Sequence, residues 1–227
     1  MNLRKIIHRM IEDGVRADLI VQEEPKAIPL LDIVLHGQGD YRKLSKTFID
    51  SIWYRQWEKR ILSVSERENI LRWLSSVPKY HKGASFNLAQ NLRNQGRYDE
   101  ALIIIDQLID EGWVVFETEY LRANIHFDAG AIAGLENTYR HLLSKYKWTK
   151  VPLYKIGMIR WLEGGDRVEA REYVAEAWRK DKLEEIEDCL KAMDVILTGA
   201  EQNKLPRRVK AEIKLLQGKS RLKFRSH

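Results

Sequence analysis

The chain has 227 residues, 44% of them hydrophobic and 32% charged, with a single cysteine. This suits a soluble protein with a buried core, and one cysteine excludes both a disulfide framework and a cysteine-rich metal site. Thirty-nine Lys and Arg against 33 Asp and Glu give +6, but the excess is local. Residues 204–227 hold nine basic side chains and one acidic one, Glu212, whereas residues 81–203 hold 16 basic and 21 acidic. The basic balance belongs to the tail, so it does not mark the whole chain as a nucleic-acid binder.

The start of the chain has no uninterrupted apolar core of a signal peptide, and no stretch approaches the roughly 18 apolar residues of a membrane span. A cytoplasmic location is expected, peripheral at a membrane if the basic ends reach one. Leu3, Ile6, Ile7, Met10 and Ile11 share one helical face. An apolar segment runs from Ile28 to Leu35, and a long helical pattern from about Tyr41 to Arg60. Ser65-Glu66-Arg67-Glu68 has the spacing of a capping box and opens a helix to about Leu74, with Pro78 beyond it.

From Lys82 onward the chain repeats itself. Gly96, Gly130 and Gly164 stand 34 residues apart, each between two helical patterns, where a tight turn needs unusual backbone angles. Small residues recur in phase at Ala89, Ala123 and Gly157, where two helices can approach closely. The second helices carry Ala101-x-x-x-Ile105, then Tyr139, then Ala170-x-x-x-Val174 after one inserted residue. A fixed period of this length signals stacked helical hairpins, each too small to bury its own apolar face.

The strings Leu88-Ala89-x-x-Leu92 with Ala101-x-x-x-Ile105, and Ile156-Gly157 with Ala170-x-x-x-Val174, resemble the tetratricopeptide repeat over residues 82–182. The chain departs from that pattern in lacking the terminal proline, in having Leu135 where a small residue belongs, and in the shift at Gly164-Gly165. The resemblance implies an all-α protein, an α-solenoid of antiparallel hairpins. Residues 1–81 would be an irregular helical region packed on three repeats at 82–182. A capping helix at 183–203 (Leu183, Ile186, Leu190, Met193 and Leu197) and a partly flexible basic tail at 204–227 would follow.

No catalytic constellation stands out. The six histidines are scattered, Gly37-x-Gly39 lacks the rest of a phosphate loop, and Cys189 sits beside Leu190 as a small core residue would. The expectation is a non-enzymatic adaptor without cofactor or metal. In the repeat family one face of each first helix lines a concave groove. Carried across in phase, that face reads Phe86, Tyr120, Tyr154; then Gln90, Asn124, Met158; then Arg93, Phe127, Trp161, with Asn87 beside them. Aromatic and amide side chains in a groove suit a protein or peptide segment. The competing reading is that these aromatics fill the core. Asn87 and Arg93 alone do not make a clamp for acidic peptides, because Phe86, Glu117 and Asp128 share the region.

The tail offers a second reading, association with nucleic acid or an anionic membrane through Arg207, Arg208, Lys210, Lys214, Lys219, Arg221, Lys223 and Arg225. Its first part, from Pro206, can form a short helix with Val209, Ile213 and Leu216 on one side. The acidic run Glu184, Glu185, Glu187 and Asp188 reads as a solvated face of the capping helix.

Overall fold

The computed structural model describes residues 64–146 and 150–218. The expected N-terminal helices, and Lys219, Arg221, Lys223 and Arg225, lie outside the described residues. Within them the chain is all-helical: α1 Val64–Ser75, α2 His81–Asn94, α3 Tyr98–Asp110, α4 Phe116–Asp128, α5 Leu135–Tyr146, α6 Lys150–Leu162, α7 Arg167–Lys180, α8 Glu184–Thr198 and α9 Arg207–Leu216. Within α1–α3 and within α4–α9, helices pack on their neighbours in chain order. They group into two compact units divided after Trp113, one holding α1–α3 and the other α4–α9.

The 34-residue glycines do what their spacing predicts. Gly96, Gly130 and Gly164 have φ of 77°, 80° and 81° and end α2, α4 and α6. The Gly96 amide donates to the Arg93 carbonyl at 2.9 Å and the Arg97 amide to that of Leu92 at 3.0 Å, and the same pair of bonds recurs at Gly130 and Gly164. This Schellman closure satisfies carbonyls the helix leaves open, and it requires the left-handed backbone that glycine adopts without steric cost. A fourth such turn, at Gly112 (φ 77°), closes α3 outside the 34-residue phase.

Close approach at the small-residue position is most extreme in the third pair. A Cβ on Gly157 would lie 2.7 Å from the Ala170 carbonyl oxygen and 2.7 Å from Cγ2 of Val174. Ala89 and Ala123, its counterparts, are buried.

Two capping features differ from the sequence reading. Ser65 lies inside α1 rather than before it. The Glu68 carboxylate is occupied by Arg72 at 2.9 Å and Arg97 at 2.7 Å, tying α1 to the start of α3. A side-chain cap occurs instead at Asp166, whose carboxylate accepts from the amides of Val168 and Glu169 at the start of α7.

The C-terminal part is more integrated than a cap and a loose tail. Helix α8 ends at Gly199 in the left-handed conformation, and α9 packs back on it with Val209, Ile213, Leu215 and Leu216 buried. The Trp161 indole N–H donates to the Leu216 carbonyl at 3.2 Å, joining α6 to the end of α9. The helix predicted from Pro206 onward is therefore part of the second unit's core.

Candidate interaction surfaces

The first helices of the pairs, α2, α4, α6 and α8, differ from the others in kind. Tyrosine aside, every buried polar or charged side chain among the described residues lies on them: Ser85, Asn87, Arg93, Thr118, Asn124, Asp128, Lys155 and Asp188. The second helices α3, α5 and α7 bury narrow apolar stripes such as Ala101, Ile105 and Leu108. Helix α4, by contrast, buries seven of its 13 residues, spread over more than one face. A helix covered on several sides holds apolar and polar groups alike, so the polar ones need partners.

In the first unit, Phe86 is half-buried and meets the Trp113 ring edge-on with centroids 5.8 Å apart. Gln90 is half-buried, while Asn87 and Arg93 are buried. In the second unit, Asn124 is buried, and its carbonyl oxygen accepts from the Tyr139 hydroxyl at 2.9 Å. Phe127 is fully buried under the Lys155 ammonium, 4.2 Å from its ring centroid. Met158 is fully buried with its sulfur 3.2 Å from that of Cys189, and Trp161 is 3% exposed. Phe127 and Trp161 at the third position of the stripe are thus packed inside the second unit, and Asn124 and Met158 at the second position serve its interior.

An aromatic cluster stays half-exposed. Phe116 and Tyr120, one turn apart on α4, stack at 5.3 Å and 12°. Tyr146 from the end of α5 meets Phe116 edge-on at 5.0 Å, and Tyr139 meets Tyr120 at 6.3 Å. Phe116 and Tyr146 were outside the sequence stripe because no 34-residue phase links them. Tyr154 is half-buried on α6, with its hydroxyl beside the Cys189 thiol. Burial pushes both groups well above their ordinary pKa values, so both stay protonated in a dry interior.

The basic tail is partly consumed within the fold. Arg208 pairs with Glu184 and, at 3.4 Å, with Asp188, so part of the acidic run on α8 binds the tail instead of only facing solvent. The Lys210 ammonium donates to the Asn203 carbonyl at 2.9 Å. Arg207 and Lys214 are exposed.

A cleft of about 300 Å³ lies in the first unit, lined by Arg72, Ser75, His81, Ser85, Gln107 and apolar residues that include Leu88. His81 has both ring nitrogens occupied, Nδ1 at 2.6 Å from the Ser75 carbonyl and Nε2 at 2.8 Å from Glu111 Oε2. Among the described residues no three His, Cys, Asp or Glu side chains gather to hold a metal, and no helix is long and apolar enough to cross a membrane. Compared with protein-family models, curated proteins and solved structures, the chain matches none.

Proposed function

We propose that the protein is a non-catalytic scaffold of tetratricopeptide-like hairpins that binds a protein or peptide segment against its first helices. The observation carrying this reading is the segregation of buried polar groups onto α2, α4, α6 and α8, and, within the second unit, the half-exposed aromatic cluster that α4 shares with the end of α5. A recognition face needs apolar anchors held by fixed hydrogen-bonding groups, and the first helices offer both. Within the second unit the contact edge is the cluster of Phe116, Tyr120 and Tyr146, and Tyr154 on α6, its hydroxyl turned in to Cys189, backs it. The buried members Asn124, Phe127, Met158 and Trp161 support that edge from behind. The protein acts inside a larger assembly in the cytoplasm.

The test places a photoreactive phenylalanine analogue at Tyr120 in the full chain in its native cell, with the same analogue at exposed Ile103 as control. One protein crosslinked from position 120, not from 103, and lost in Phe116→Ala/Tyr146→Ala with helicity intact, supports the assignment. Equal crosslinking from both positions overturns it.

A further inference from the structure

His81 is held between two groups that can only accept hydrogen bonds. The Ser75 carbonyl, at the last residue of α1, lies 2.6 Å from Nδ1, and a Glu111 carboxylate oxygen, at the residue after α3, lies 2.8 Å from Nε2. A neutral imidazole has one N–H and can satisfy one of them; the imidazolium has two and satisfies both. Both acceptors also stand at helix C-termini, where open carbonyls favour a cation. We infer that His81 is a proton-operated clasp that ties the end of α1 to the end of α3 across the cleft of the first unit.

The charged groups around the ring oppose one another. Glu111 on the α3 side favours the imidazolium, and its other oxygen is held by the Gln107 amide at 3.1 Å. Lys82, next in α2, and Arg72, which lines the same cleft from α1, oppose it. Arg72 is itself engaged by Glu68 and Glu100. The position of His81 as the first residue of α2 also disfavours a cation. The balance favours the proton: the hydrogen bond to Ser75 leads, and together with the hydrogen bond and charge of Glu111 it outweighs burial and Lys82, raising the pKa above 6.5. The sign follows by linkage. A raised folded pKa contributes stability that is complete below about 6.5, the unfolded value, and is lost as pH rises through the folded value. Above it the ring keeps one partner, and the α1–α3 tie opens at one end.

The experiment is an NMR titration of the His81 ring in the full chain, with amide exchange of residues 73–77, corrected for intrinsic rates, at pH 6 and pH 8. The clasp predicts that His81 titrates above 6.5, that Glu111→Gln brings it down, and that protection of 73–77 falls from pH 6 to pH 8 in the wild type but not in His81→Gln. Titration at or below 6.5, or the same pH response in wild type and His81→Gln, overturns it. Glu111→Gln carries the test if His81→Gln fails to fold, since residue 111 is at the surface.

Discussion

Gly157→Ala tests the packing of the third helix pair. The new methyl would sit 2.7 Å from the Ala170 carbonyl oxygen, 2.7 Å from Val174 Cγ2 and 3.1 Å from Tyr173 Cβ. The carbonyl belongs to α7 and cannot swing aside. Val174 is fully buried and stiff at its first side-chain torsion. Relief must come from separating α6 and α7, and overpacking of this kind costs about 1–3 kcal/mol. Against it stands the gain of about 1 kcal/mol from replacing glycine by alanine in a helix interior. With a backbone atom and a core methyl both inside contact distance, the clash falls in the upper part of that range, about 2–3 kcal/mol, and the balance is a net loss of about 1–2 kcal/mol. Urea unfolding followed by circular dichroism reads this as a lower midpoint with an unchanged slope. A variant as stable as the wild type, or more stable, would refute the reasoning, for it would mean that α6 and α7 stand as far apart as alanine at positions 89 and 123 allows. Gly96→Ala is the companion: nothing lies within 4 Å of its Cβ, so its expected loss of roughly 1 kcal/mol comes from the positive φ alone.

Tyr139→Phe removes the donor to the buried Asn124 carbonyl and should cost about 1–3 kcal/mol in urea unfolding, since the acceptor is left without water; a neutral result would mean that water reaches Asn124. Trp161→Phe keeps an aromatic ring, though a smaller one, and strands the Leu216 carbonyl. Amide exchange in 209–216 should rise before exchange in α6, and uniform acceleration would contradict a local latch. The Glu136 carboxyl is partly buried, which works against its charge, but hydrogen bonds from Arg160 and Arg140 prevail and hold its pKa below 4.5. Its contribution is therefore present above about 4.5 and lost as pH falls through the lowered value, so Glu136→Gln should narrow its stability gap to the wild type as pH drops from 5 to 3. A gap independent of pH over that range would exclude the ion pairs as its source.

Helices, turns and their phase were legible in the sequence because local chemistry fixes them. Gly96, Gly130 and Gly164 mark left-handed closures whatever surrounds them, and the stripe of Val209, Ile213 and Leu216 marks α9 before any partner for it is known. The site was legible only as a set of positions. Phe86, Gln90, Tyr120 and Tyr154 keep some exposure, while Asn87, Arg93, Asn124, Phe127, Met158 and Trp161 are buried. A period states which residues are equivalent, but it cannot state which side of a helix a later segment will cover. Trp161 has the phase of a groove residue, yet α9, arriving 55 residues later, takes its indole N–H. The tail shows the same division. Its nine basic residues count alike in the sequence, but folding places Arg208 against Glu184 and Asp188 and Lys210 against a backbone carbonyl, leaving Arg207 and Lys214 exposed. The glycine turns depend only on local backbone sterics and were readable in advance, whereas exposure and charge pairing depend on contacts between residues distant in sequence and were decided by tertiary packing alone.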